Sequence, residues 1–96
     1  MVKVWGRWCG PSWTAGRPIP AKDYDWENDP SPKAQDKLDM ACRIHDRTYG
    51  TNGDTKQADK LLRNTALKIA AAQPLSAEGI AAVAVAAAMT AKEVWD

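Results

Sequence analysis

The sequence predicts an all-α single domain in which an irregular amino-terminal third, residues 1–30, precedes two long antiparallel helices and a C-terminal alanine-rich helix. Glycines and prolines interrupt residues 1–30 too often for a long regular element. Beyond that segment, apolar side chains recur at the three- and four-residue spacing of helices. The chain has 96 residues, few enough that apolar burial alone leaves it marginally stable. We therefore expect a further stabilising feature.

The first predicted helix spans residues 32–49. Ser31 is a suitable N-cap, and Pro32 suits the first helical position. Residues at helical spacing then follow: Leu38, Ala41, Cys42, His45 and Tyr49. The helix ends at residues 50–53, Gly-Thr-Asn-Gly, a turn sequence whose glycines can adopt positive φ.

The second predicted helix spans residues 55–72, with Asp54 or Thr55 as its cap. Its apolar residues repeat the same spacing: Ala58, Leu61, Leu62, Ala66 and Ile69. Because the connection is so short, the two helices must be antiparallel neighbours. A third helix over residues 77–94, capped by Ser76, is alanine-rich and is expected to be a packing element.

Composition excludes several classes of function. The 13 basic and 12 acidic residues nearly cancel, and no Lys/Arg cluster suggests a phosphate-tracking groove, so we expect no nucleic-acid partner. The longest apolar stretch, residues 80–89, is well short of the roughly 20 residues of a membrane span. Residues 1–8 lack the apolar core of a Sec-type signal peptide. We expect a soluble or peripherally membrane-bound protein that is exported, if at all, by another route.

A histidine and a carboxylate are expected to meet across the helical hairpin. His45, the only histidine, lies four residues before Tyr49, and Asp59 lies four residues after Thr55, so their depths match. Helix axes about 8 to 10 Å apart would bring the two side chains to hydrogen-bond distance. Such a carboxylate orients the imidazole, whose other nitrogen can take a proton from water. The alternative is a core histidine satisfied by any nearby acceptor.

Asp46 follows His45 directly and points about 100° further round the helix, so the two can face one cavity. A carboxylate beside a glycine-containing loop is typical of calcium sites, which use oxygen ligands that include backbone carbonyls. Residues 8–12, Trp-Cys-Gly-Pro-Ser, can form that loop. Calcium there could polarise an ester carbonyl and stabilise the oxyanion formed on attack. The alternative for Asp46 is a solvated helix acid.

These residues resemble a known family. Residues 39–49, Asp-Met-Ala-Cys-Arg-Ile-His-Asp-Arg-Thr-Tyr, resemble the active-site helix of the secreted phospholipase A2 superfamily, whose pattern is D-x-x-C-x-x-H-D-x-x-Y. Residues 8–13 are similar to its calcium loop, and the Gly-Pro step also resembles the compact phospholipase domains of parvovirus capsids. Residues 58–62 resemble the start of its second long helix. The resemblance covers roughly residues 5–70 and fits the minimal microbial and phage members.

The resemblance implies a calcium-dependent enzyme that hydrolyses the sn-2 ester of glycerophospholipids at a membrane surface, secreted or carried by a virion. It assigns His45 as general base, Asp59 as its orienting carboxylate, Tyr49 as a hydroxyl supporting Asp59, and the Gly10 amide as an oxyanion donor. Calcium would be held by Asp46 and by the backbone carbonyls of Trp8, Gly10 and Ser12. The two cysteines, by count either thiols or one disulfide, should pair as Cys9–Cys42.

The chain departs from the family at Ser12, where members carry a second loop glycine; a positive φ there would cost serine about 1 kcal/mol or more. The other cysteines of animal members are also missing. Two other functions stay open. One is a catalytically silent module on the same fold. The other is a zinc domain using Cys9, Cys42 and His45 with Asp39 or Asp46.

Two further features allow competing interpretations. Residues 23–29 space their acids like the start of an EF-hand loop, but positions six and twelve would be Asn28 and Ala34, so a solvated acidic loop is expected. Four tryptophans lie among basic residues in the first third, at positions 5, 8, 13 and 26. They form either an interfacial anchor or the small core.

Overall fold

The computed structural model describes residues 2–28 and 33–91. These contain three α-helices: α1, Lys37–Gly50; α2, Thr55–Ala72; and α3, Ala77–Thr90. The segment before them holds a short 3₁₀ turn, Ala21–Asp23, and two isolated β-bridges, Trp5–Cys9 and Thr14–Arg17. No longer strand occurs in the described residues. The predicted all-α class and irregular first third are confirmed.

Helix α1 begins at Lys37, so the predicted start at Pro32 is wrong. The N-cap is Asp36, whose carboxylate accepts the Asp39 N–H at 2.9 Å. The Asp39 carboxylate accepts the Gln35 N–H at 3.0 Å, which fixes the chain just before the helix. Asp36 thus satisfies one of the donors that a helix start leaves without partners. Ser31 and Pro32 lie outside the described residues.

The other two helices begin where the sequence predicts. Asp54 caps α2 by accepting the Gln57 N–H, and the predicted bounds 55–72 are confirmed. Ser76 caps α3 by accepting the Gly79 N–H. Helix α3 ends at Thr90, earlier than the predicted 94, and its last turn is closed by the N–H of the following residue, which donates to Ala87 and Met89 carbonyls. Residues 92–94 lie outside the described part of the chain.

Helix α2 packs against both α1 and α3. The contact with α3 buries Ala82, Val85, Ala86 and Met89 in one cluster with Leu62, Ala66 and Ile69 of α2. Small side chains on both helices allow close packing, as expected for the alanine-rich helix. Within the described residues, no helix combines the length and apolar character needed to cross a bilayer.

The tryptophans of the first third belong mainly to the core. Trp8 is fully buried, stacks on Trp26 at 5.6 Å between ring centroids and meets Tyr24 edge-on at 5.9 Å. The partly buried tryptophans turn their indole N–H groups into the protein: Trp5 to Asp36, Trp13 to the Gly6 carbonyl and Trp26 to the Ala21 carbonyl. These contacts favour the core interpretation over an interfacial anchor.

A disulfide joins the irregular third to α1. Cys9 and Cys42 are bonded, with their Cα atoms 5.1 Å apart and 33 positions apart in sequence. Both cysteines are buried in the core cluster. The predicted pairing is confirmed and supplies the stabilising feature expected of so short a chain.

We expect reduction of this disulfide to lower the free energy of unfolding by up to about 4 kcal/mol, because the open chain gains the entropy of an unclosed loop. Urea unfolding with and without reductant measures the difference. A Cys9→Ser/Cys42→Ser variant is the control, and its midpoint should not respond to reductant. Equal midpoints for the oxidised and reduced wild-type protein would contradict a stabilising role.

Candidate functional site

His45 and Asp59 meet across the α1–α2 hairpin, as predicted. The His45 Nε2 lies 2.8 Å from Asp59 Oδ1, and His45 is only 2% exposed. The hydroxyl of Tyr49 donates to the same carboxylate oxygen, also at 2.8 Å. The rings of His45 and Tyr49 lie 4.7 Å apart, one helical turn from each other on α1. The structure therefore joins three predicted site residues in one hydrogen-bonded group.

This arrangement fixes the histidine tautomer. An ionised carboxylate only accepts hydrogen bonds, so Nε2 carries the hydrogen that Asp59 receives. In the neutral ring, Nδ1 then has a free lone pair. Nδ1 is buried and has no hydrogen-bond partner among the described residues. Nδ1 lies 3.8 Å from Asp46 Oδ1, which is too long for a hydrogen bond. The imidazole and the Asp46 carboxylate are nevertheless next to each other.

A cavity of about 440 Å³ lies between α1 and α2, with His45 in its wall. Its volume falls within the range of small-molecule sites. Most of its lining is apolar, from Met40, Ala41 and Ile44 on α1 and from Ala58, Leu61 and Leu62 on α2. Polar side chains from Lys37, Thr48, Asp54, Gln57 and Thr65 complete the lining. A base thus borders a space suited to an apolar ligand.

One stripe of α1 holds the irregular segment. Asp39, Cys42 and Asp46 recur at i, i+3 and i+7, and all three are buried. Two of them hold that segment directly, Asp39 by accepting its backbone N–H groups and Cys42 through the disulfide. Asp46 follows on the same stripe, one turn beyond Cys42. His45 lies about 100° away, on the side that faces α2.

The loop over this stripe needs glycine at position 10. Gly10 has φ 146°, and a Cβ there would collide with the Val2 carbonyl oxygen. Ser12 adopts φ 49°, a left-handed conformation that glycine would adopt more easily. The strain expected at this position is therefore present in the backbone.

Loop backbone groups fall into two sets. The Cys9 and Pro11 carbonyls accept N–H groups from the amino-terminal segment, at 2.8 Å from Val4 and 3.0 Å from Val2. The carbonyls predicted as metal ligands, those of Trp8, Gly10 and Ser12, accept no hydrogen bond from any described residue. The Gly10 N–H likewise donates to none of them. These four backbone groups therefore have no hydrogen-bond partner among the described residues.

Side chains alone do not form a metal centre. Across residues 2–28 and 33–91, no three His, Cys, Asp or Glu side chains come together as metal ligands. A metal here would need backbone oxygens, which calcium accepts and zinc rarely uses. The zinc alternative also loses two of its ligands, because both sulfurs are bonded to each other.

The sequence interpretation missed the role of Asp39, which it treated only as a motif position and a possible zinc ligand. Its fully buried carboxylate accepts the Arg7 N–H at 3.1 Å, the Trp8 N–H at 2.9 Å and the Gln35 N–H at 3.0 Å. Gly6 is required beside it, since a Cβ there would collide with the carboxylate. The spacing of Asp36 and Asp39 was the available signal.

The acidic segment after the 3₁₀ turn behaves as a local turn in its described part. Asp25 is exposed and accepts the backbone N–H groups of Glu27 and Asn28 and the Asn28 side-chain amide. That side-chain amide holds the pKa of Asp25 below its ordinary value. The expectation of a solvated acidic loop fits this geometry. Asp29 lies outside the described residues.

Comparisons of the chain with protein-family models, curated proteins and solved structures found no match.

We expect Asp39→Asn to lower the free energy of unfolding by about 2 to 4 kcal/mol. An amide has only one acceptor oxygen, and its NH₂ group would face backbone N–H groups that now donate to the carboxylate. Urea unfolding monitored by circular dichroism measures the loss. The matched control is Asp23→Asn, an exposed aspartate whose replacement should change stability by less than about 0.5 kcal/mol. Similar small effects for both variants would show that Asp39 does not hold the loop.

Proposed function

We propose that the chain is a calcium-dependent phospholipase A2 that hydrolyses the sn-2 ester of glycerophospholipids at a membrane surface. One observation carries the proposal: His45 has one ring nitrogen held by Asp59 and the other without a protein partner, in the wall of an apolar cavity. A ring held by Asp59 at Nε2 and without a protein partner at Nδ1 is the arrangement that a general base requires.

In this proposal His45 acts as the general base. Nδ1 takes a proton from a water molecule as the water oxygen bonds to the ester carbonyl carbon. Asp59 keeps the ring in the required tautomer and stabilises the imidazolium that forms, and Tyr49 holds Asp59. The tetrahedral intermediate then collapses, the bond to the leaving alkoxide breaks, and Nδ1 returns the proton to that oxygen. The products are a fatty acid and a lysophospholipid.

The donor set fits a calcium ion. Asp46 and the Trp8, Gly10 and Ser12 carbonyls would hold it, since the three carbonyls are not used by described residues and Asp46 lies on the α1 stripe that holds the loop. Calcium bound there would polarise the ester carbonyl and offset negative charge on its oxygen. The Gly10 N–H, which has no acceptor among the described residues, would donate to the same developing charge.

The apolar lining of the cavity fits an acyl chain, which gains free energy by leaving water. The disulfide fits a protein that works in an oxidising environment, in keeping with secretion or carriage on a virion. A silent module on the same fold would share these features but would not turn over substrate.

Two substitutions separate the base from the metal site. We expect His45→Gln to keep calcium binding while fatty-acid release falls by about 10² to 10⁴-fold, because only the base is lost. Asp46→Asn should lose calcium binding and hydrolysis together, because the carboxylate charge is gone. Isothermal titration with calcium and a fatty-acid release assay measure the two quantities, and circular dichroism checks that both variants stay helical.

Near-normal hydrolysis by His45→Gln with calcium still bound would rule out the mechanism. Calcium binding by the wild-type protein without any hydrolysis would instead favour the silent module. The metal site would fail on its own if Asp46→Asn bound calcium as tightly as the wild type.

The hydroxyl of Tyr49 has a smaller predicted effect. Tyr49→Phe removes one hydrogen bond to Asp59 and leaves the other from His45, so kcat should fall by about 3- to 10-fold with KM unchanged. Tyr24→Phe is the matched control, a buried tyrosine in the core of the first third, and should leave kcat unchanged. A loss as large as that of His45→Gln would mean that Tyr49 does more than support Asp59.

A further inference from the structure

Helix α2 presents a positively charged outer surface. It carries four cations, Lys56, Lys60, Arg63 and Lys68, and a single acid, Asp59. The Asp59 carboxylate is hydrogen-bonded to His45 and Tyr49. None of the four cations forms an ion pair with any residue that the structure describes. Like charges four residues apart weaken a helix, so folding alone does not explain this row.

The exposed positions of α2 form one continuous arc. At 100° per residue, positions 57, 60, 61, 64, 67, 68 and 71 fall within about 120° of the helix surface, and all are exposed. This outer arc contains Lys60 and Lys68, has Leu61 and Leu67 at its two edges, and contains no acid. The two leucines are 51% and 52% exposed.

Apolar side chains continue from the outer arc onto the neighbouring helices. Met40 and Ile44 of α1 are 43% and 47% exposed and, with Leu61, line the cavity that contains His45. On the other flank, Leu67 and Val83 line a shallow groove between α2 and α3. Lys37 also lines the His45 cavity. The one acidic residue in the lining of that cavity is Asp54, whose carboxylate caps α2 by accepting the Gln57 N–H. Exposed apolar side chains and Lys37 therefore line the His45 cavity, and the outer arc adjoins that cavity at Leu61.

We infer that this surface, the outer arc of α2 with Met40 and Ile44, docks on a bilayer rich in anionic phospholipid. Apolar side chains that enter the headgroup region and cations that attract anionic lipid together define such peripheral surfaces. The tryptophans of the first third do not serve this purpose, because they pack and hydrogen-bond inside the protein.

The inference rests on the proposed function and adds the lipid class and the docked face. Docking there turns the mouth of the His45 cavity toward the lipid, so a phospholipid can enter it without crossing water. The surface lies along the α1–α2 hairpin, and Lys3 and Lys22 of the irregular segment are not part of it.

The test uses His45→Gln protein, so that vesicle binding is measured without turnover. A failure to bind vesicles is then distinguished from a failure to hydrolyse lipid. Sedimentation should show strong binding to phosphatidylglycerol vesicles and weak binding to phosphatidylcholine vesicles, with salt weakening the former. In the same background, Lys60→Glu/Lys68→Glu should weaken binding by about 30-fold or more, since each cation near an anionic surface changes affinity about fivefold. The matched control, Lys3→Glu/Lys22→Glu, carries the same charge change and should alter binding less than twofold.

Lysine acetylation read by mass spectrometry maps the docked face without charge reversal. Vesicles should protect Lys37, Lys60 and Lys68 and leave Lys3 and Lys22 reactive. Equal binding to both vesicle types, equal loss in the two double variants, or protection of Lys3 and Lys22 instead would overturn the inference. Binding of a DNA duplex with the same dependence on Lys60 and Lys68 would overturn the assignment to lipid.

Discussion

The buried carboxylate of Asp39 holds the irregular segment against the start of α1. It accepts backbone N–H groups from Arg7 and Trp8 in the irregular segment and from Gln35 just before α1. Burying a carboxylate costs several kcal/mol unless such donors surround it, so these segments must stay together for the charge to be tolerated. One turn later the disulfide makes the same connection covalent. The position of the loop over α1 follows from these two attachments.

Helix α1 then organises the site through its periodicity. The residues that hold the loop and Asp46 share one stripe, and His45 and Tyr49 face α2. Adjacent positions on one helix therefore present a carboxylate to the loop and an imidazole to Asp59. The imidazole is held by Asp59, whose carboxylate is hydrogen-bonded to His45 and Tyr49, so Asp46 can be altered while the His45–Asp59 contact is kept. In the proposed mechanism, calcium binding and proton transfer can therefore be tested separately.

The sequence predicts the helical hairpin and its His45–Asp59 contact because both depend on local spacing and a short turn. It does not predict the start of α1, where Ser31-Pro32 resembles a cap but Asp36 and Asp39 satisfy the first turn. The role of Asp39 is also hidden, since its bonds to Arg7 and Trp8 reach backbone groups more than 30 positions away, and its spacing from Asp36 indicates only a helix start. Composition does not distinguish buried from interfacial tryptophans. The indole N–H groups, which donate to acceptors inside the protein, do distinguish them.

Identification of the released products shows directly whether His45, with calcium, hydrolyses an sn-2 ester. Vesicles of a phosphatidylglycerol with different acyl chains at its two positions would be incubated with the protein, and the released fatty acid identified by mass spectrometry. A calcium-dependent phospholipase A2 should release the sn-2 chain alone. A calcium chelator should abolish that release, and added calcium should restore it. Release of both chains, release that survives the chelator, or no release from any phospholipid would contradict the proposed function.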